Sequence, residues 1–364
     1  MLEGQWSEAL AANNIRTILD WPKNLTIKGD AGLEEHLQTF GCWLQRTSEF
    51  NKKEFLTLCY SHCQGLWMFL DQSSFIKLHL LLWRLQNLLT LVQWSRKQLD
   101  VGVPCMICRG TQHSSAGRHN CWNQEHWTMK QHIRLGQLVQ WWGIMGLLPR
   151  FPESQELRRI SQMWKEMELS HQEINLKAAG WNKREIEICG FLIESMVTQL
   201  CNRYGCIWTS EDCTDQLYPP PTLQALLMLV LVPCIDNMSV QGILMYFILD
   251  VANFLQYKDN LLQPFCHAFT VPYSFSQQIK AFWMFDRGRI KASTELLLSS
   301  RAAVPQLSWQ HRYIIISLLK RKQYYMAMKY LQWAKPPIEA IEDGKLCAEV
   351  LLQSRCTLAS SLIE

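Results

Sequence analysis

Apolar residues recur along this chain at the spacing of one helical face, and that pattern leaves little room for a sheet. Leu78, Leu81, Leu82, Leu85, Leu88, Leu89 and Val92 follow the i, i+3, i+4, i+7 rule of a single buried stripe. The stretches 133–142 and 186–200 behave the same way. Period-two alternation of β-branched residues, the mark of half-buried strands, is almost absent. The expected fold class is all-α.

Punctuation divides the helical pattern. Trp21-Pro22 predicts the end of the first helical segment, and 29–32 a loop. The stretch 102–120 holds Pro104, Gly110, Gly117, two His and two Ser, and predicts the clearest irregular loop of the first half. Pro149-Arg150-Phe151-Pro152 predicts another helix end, because proline has no amide to donate. The stretch 204–221 reads as irregular and ends in prolines. Thr222 then stands in the cap position before the run from Leu223.

Beyond the prolines the pattern becomes paired. Residues 277–286 predict one helix and 290–299 its partner, turned at Arg287-Gly288-Arg289. Residues 310–319 and 324–333 predict a second pair, turned at Lys320-Arg321-Lys322. Ile290, Ser293, Leu296 and Leu297 fall 34 residues before Tyr324, Ala327, Tyr330 and Leu331. That offset is what one helical hairpin per repeat produces. A small residue at the shared position, Ser293 or Ala327, lets two helices approach closely. The expectation is an α-solenoid-like stack of antiparallel helical hairpins over 214–364, preceded by a helical part over 1–213, in one continuous elongated unit. The chain ends at 360–364 within a helical pattern and without a polar capping repeat, as a fragment, a short isoform or a shortened relative would.

With 364 residues and 48% hydrophobic content the chain buries a sizeable core and is not disordered. Its 16 Trp are chiefly gap-fillers between helices. Trp283 lies at i+4 from Ile279, and Trp309 opens a stripe continued by Tyr313 and Ile316, so both are expected as core anchors. A net charge of +4 demands no nucleic-acid partner, and strong direct nucleic-acid binding is not expected. The 14 Cys show no disulfide framework and read as mostly reduced and buried, in a cytosolic or nuclear protein. The first residues show no secretory signal. The apolar runs 226–232 and 243–249 are far shorter than the ~20 residues that span a bilayer. The longer run 78–94 carries Arg84, Gln86, Asn87 and Gln93 and reads as a buried amphipathic helix, so membrane insertion is not expected.

Candidate chemistry is sparse. Cys105-x-x-Cys108 followed by His113, His119 and Cys121 has half of a zinc-site spacing. The second half fails, because one residue between His119 and Cys121 is too few, and no metal site is expected. Cys59, His62 and Cys63 share a helical face near Trp67, without a carboxylate to orient the imidazole. No nucleophile elbow, P-loop, dinucleotide fingerprint or His-Glu-x-x-His helix occurs. No catalytic residue and no cofactor are expected.

Tyr218-Pro-Pro-Pro-Thr-Leu-Gln-Ala-Leu-Leu227, Ala281-Phe-Trp-Met-Phe-Asp286, Leu307-Ser-Trp-Gln-His311 and Ala327-Met-Lys-Tyr-Leu-Gln332 occur in this order, with Lys335-Pro336 following. Together these blocks resemble the central helical domain of the ELYS family, most closely over 218–337 and more weakly from the N-terminus to Cys213. The resemblance implies a non-enzymatic helical module in the nucleus, at the nuclear envelope and nuclear pore. Its implied partners are other proteins, namely pore scaffold components. Family members carry a β-propeller before this region and a basic chromatin-binding tail after it. Functions resting on those parts are not implied by these residues. The AT-hook core of such tails is Arg-Gly-Arg-Pro. Here Ile290 follows Arg287-Gly288-Arg289, so the tripeptide reads as a solvated hairpin turn. The rival reading is a helical adaptor of ubiquitin or RNA machinery with a small zinc site.

Overall fold

The computed structural model describes residues 2–28, 33–63, 72–97, 115–147, 155–177, 190–208, 217–254 and 261–360. Among these residues the secondary structure is helical, with no strand. The chain divides into two compact units. The first comprises 1–154 and 227–234, the second 155–226 and 235–364.

The first unit contains α1 (Leu2–Ala11), α2 (Ile15–Lys28), α3 (Leu33–Cys63), α4 (Gln72–Lys97) and α5 (Ser115–Ile144). Helix α4 packs against both α3 and α5. Its stripe behaves as its spacing predicts: Leu78, Leu81, Leu82, Leu85, Leu88 and Val92 are buried, and Leu89 is half-buried. Residues 73–97 are long and apolar enough to cross a membrane by length and composition alone. Packing accounts for the buried stripe, while Ile76, Leu80 and Trp83 on the same helix are exposed. Gly136 on α5 permits a close approach to α3, because a Cβ there would lie 2.6 Å from the Phe55 ring.

The first helix does not end at Trp21-Pro22. The break comes at Asn13, whose φ is 56° and whose neighbour Asn14 returns its N–H to the Ala9 carbonyl at 2.7 Å. Pro22 lies inside α2. An interior proline costs ~3 kcal/mol, and packing just ahead of it supplies compensation. Ile18 is 1% exposed, and the Trp21 ring lies 4.7 Å from that of Trp6. The expected 102–120 loop is also shortened: α5 already runs through Gly117, and 102–114 lie outside the described residues. The predicted loop 29–32 and the prolines 149–152 lie outside them too.

The second unit contains α6 (Gln155–Lys177), α7 (Leu192–Tyr204), α9 (Asn237–Phe254), α10 (Leu262–Ala268), α11 (Tyr273–Asp286), α12 (Ile290–Leu297), α13 (Ser308–Lys320), α14 (Tyr324–Ala334) and α15 (Ile341–Ser360). Helix α8 (Leu223–Met228) leads into a 3-10 turn at Leu229–Leu231. The Ala225 amide donates to Thr222 Oγ1 at 3.0 Å, so Thr222 caps α8 as expected. One division between the units falls after Ser154, and 227–234 join the first unit. The reason is tertiary: α6 and α7 pack against α9, and α7 also against α11.

Helices α11/α12 and α13/α14 form the two expected hairpins, and α12 packs against α14. Helices α12 and α14 begin at Ile290 and Tyr324, so the repeat offset of the sequence reappears in the backbone. The two turns are equivalent in detail. Arg289 N–H reaches the Met284 carbonyl and Gly288 N–H that of Phe285, each at 2.9 Å. Gln323 N–H reaches Leu318 and Lys322 N–H reaches Leu319, each also at 2.9 Å. Both are Schellman closures, with φ 73° at Gly288 and 56° at Lys322. Ser293 and Ala327 are both 0% exposed, and Ser293 Oγ donates to the Ala281 carbonyl at 2.7 Å.

Candidate interaction surface

Two buried aspartates hold the helices of the second unit in register. Asp286 is the last residue of α11 and is 0% exposed. Its carboxylate accepts the Leu192 N–H at 2.9 Å and the Ile193 N–H at 3.2 Å, which are otherwise unpaired donors of the first turn of α7. It also accepts the Tyr246 hydroxyl of α9 at 2.7 Å and the Tyr313 hydroxyl of α13 at 3.1 Å. One side chain thus ties four helices together. Burial pushes its carboxyl up to about 7, against those hydrogen bonds.

Asp250 on α9 is the second node, also 0% exposed. It accepts Trp164 Nε1 of α6 at 2.9 Å, Trp283 Nε1 of α11 at 2.8 Å and the Tyr218 hydroxyl at 2.6 Å. Burial raises this carboxyl to about 6. The same burial, with the adjacent carboxylates, holds Tyr218, Tyr246 and Tyr313 well above the usual phenol range. A carboxyl near neutrality is the tuning a general base needs. Here the oxygens are sealed from solvent and taken up by protein donors, so the arrangement fixes packing and admits no substrate. The sequence reading passed over both residues. The available signal was a lone Asp inside an apolar run, Ile248-Leu249-Asp250-Val251.

The nodes place the outer faces of the hairpins. Between α12 and α14 the surface forms an open groove of about 490 Å³. Lys291, Glu295, Lys322, Tyr325 and Lys329 line it and are exposed, with Leu298 and Met326 half-buried beneath. The Tyr325 ring is 67% exposed, and the Lys329 ammonium lies 4.6 Å from its centroid. The expected solvated basic turns are only partly so. Arg287 lies 4.9 Å over the Trp283 ring with its side chain 12% exposed, and Lys320 is buried. The guanidinium gains a ring face and sits 3.8 Å from Asp250. Arg289 and Lys322 remain exposed at the two turns.

Most of the remaining sequence candidates lie outside the described residues. Cys105, Cys108 and His113 lie outside the described residues, as does the side chain of His119. Cys121 is buried on α5 and is disulfide-bonded, a departure from the expected reduced state. No cluster of metal-binding side chains occurs among the described residues. Cys59 is buried, while the side chains of His62 and Cys63 lie outside the described residues. Of seven described cysteines outside disulfides, Cys59 alone is buried, and Cys206 and Cys234 are exposed, contrary to expectation. Trp283 is a core anchor at 5% exposure. Trp309 is half-buried, not a core anchor, because it stands in the first turn of α13, before the helix enters the packed layer.

Helical hairpins joined by buried polar nodes, with an open charged groove between α12 and α14, belong to an all-α protein. Residues 192–362 match the family described as "ELYS: Nuclear pore complex assembly". The chain is similar to Protein ELYS of Xenopus laevis, 26% identical over 318 residues, covering 87% of this chain and 13% of the relative. It is also similar to Protein ELYS of Homo sapiens, 23% identical over 350 residues, covering 95% of this chain and 14% of the relative. The chain is thus ELYS-like and spans about one-seventh of the length of these curated relatives.

Proposed function

We propose that this chain is a non-enzymatic helical scaffold that docks other proteins during nuclear pore complex assembly, in the nucleus at the nuclear envelope. The observation that carries this reading is the family match over 192–362, which covers both hairpins and the groove between them. Stacked hairpins give each apolar face a partner and leave an extended surface for binding, as in an α-solenoid. Buried carboxyls sealed by protein donors support a structural role for the polar groups over a catalytic one. A groove that contains Glu295 among its lysines supports protein partners over strong nucleic-acid binding.

Proximity labelling with the intact chain in its own cells tests the proposal. Enrichment of pore scaffold proteins, with rim staining of the nucleus, is the expected result. Enrichment of ubiquitin enzymes or RNA-processing proteins without pore components would replace it with the adaptor reading.

A further inference from the structure

We propose that the α12/α14 groove binds an acidic linear peptide carrying an apolar anchor side chain. The inference rests on the reading of this unit as a protein-docking module and names the chemistry of its partner. Three ammonium groups, Lys291, Lys322 and Lys329, surround an open concavity of about 490 Å³ whose lining has a single carboxylate, Glu295. None of the three lysines forms an ion pair among the described residues, so no partner there offsets their charge beyond the nearby Glu295. The lining also offers an apolar surface. Tyr325 is 67% exposed, and Leu298 and Met326 are half-buried beside it. An exposed aromatic ring rimmed by charge is the composition of a docking anchor.

Charge complementarity selects an acidic ligand, and two features select a peptide over a nucleic acid. Glu295 lies within the groove, where an evenly charged phosphodiester would be repelled. A peptide sets its own spacing of carboxylates and leaves that position neutral. The apolar lining needs an aliphatic or aromatic side chain, which a phosphate backbone does not supply. Lys329 over the Tyr325 ring at 4.6 Å preorganises the rim, so less side-chain freedom is lost on binding.

The test uses the full chain and fluorescein-labelled peptides of about 12 residues, each rich in Glu and Asp around one Phe, Leu or Met. Matched peptides with Gln and Asn replacing the acids, and oligo-dT of similar length, are the comparisons. Fluorescence anisotropy should show the acidic peptides binding at least about tenfold more tightly than the neutral ones, with affinity falling as salt rises. The variant K291E/K322E/K329E should lose about tenfold or more, and Tyr325→Ala should lose affinity for peptides with an anchor but not for those lacking one. These positions are exposed, so melting temperatures should stay near wild type, which separates lost binding from lost folding. Equal binding of acidic and neutral peptides, an unaffected charge-reversal variant, or preference for oligo-dT would each overturn the proposal. Recovery of pore proteins without acidic-peptide binding would overturn the groove alone. Peptide binding without recovery of pore proteins would overturn the pore assignment alone.

Discussion

In the first unit Trp6 sits 4.7 Å from Trp21 and 5.3 Å from both Phe40 and Trp43, and Phe40 reaches on to Trp94 at 5.7 Å. Ring packing across four helices forms this end of the core. At its edge Trp43 Nε1 donates to Ser7 Oγ at 3.0 Å, part-buried. In the second unit Trp164 and Trp283 are equally deep, but each donates its indole N–H to Asp250. The difference teaches how similar aromatic content produces two kinds of core. Rings alone tolerate repacking within a volume. Rings that end on a shared carboxylate admit few alternatives, because a shift that breaks one bond leaves a buried polar atom unpaired. The first unit has its own charged node, with Lys52 Nζ on Glu125 at 2.8 and 2.9 Å and Ser48 donating to the same carboxylate. That node joins α3 to α5, whereas Asp286 joins four helices.

The contrast is broken most directly at Asp286. Asp286→Ala leaves two helix-end amides and two tyrosine hydroxyls unpaired, at ~1–3 kcal/mol each in isolation. The expected cost in urea unfolding is about 4–6 kcal/mol. Trp6→Ala in the ring cluster should cost about 3–4 kcal/mol, through transfer energy and a partly collapsed cavity. A larger loss for Trp6→Ala would reverse the ranking of the two cores.

Acidity sharpens the same point. The Asp286 carboxyl titrates near 7 when folded, against about 4 in an unfolded chain. Between those values the folded state holds more protons, so this group's stabilisation is full below about pH 4 and declines as pH rises through 7. Asn does not titrate. The stability gap between wild type and Asp286→Asn should therefore narrow from pH 5 to pH 8, by on the order of 2 kcal/mol. A gap that widens would mean that the four donors, not burial, control this carboxyl.

The smallest effect compares the two hairpin turns. Gly288 holds φ 73° without a side-chain penalty, while Lys322 holds φ 56° with one. Lys322→Gly should raise stability by about 0.5–1 kcal/mol, and Gly288→Ala should lower it by about 1 kcal/mol, both read as shifts in denaturation midpoint. Equal responses of opposite expectation would show that the turns are not equivalent.

Local pattern alone determined the all-α class, the Leu stripe of α4, the Thr222 cap and both hairpins with their turns. Each depends on residues within a few positions of one another, where helical spacing and turn chemistry act directly. Only the tertiary structure decided where polarity is buried. The partners of Asp286 come from 94, 93, 40 and 27 residues away, and no local spacing encodes such distances. The same holds for Pro22, retained inside a helix by packing, for Arg287, drawn inward over Trp283, and for Trp309, left half-exposed at a helix start. The α12/α14 groove belongs to both levels. The repeat offset places its two helices, and the direction each lysine and ring takes depends on which neighbours fill the core behind it.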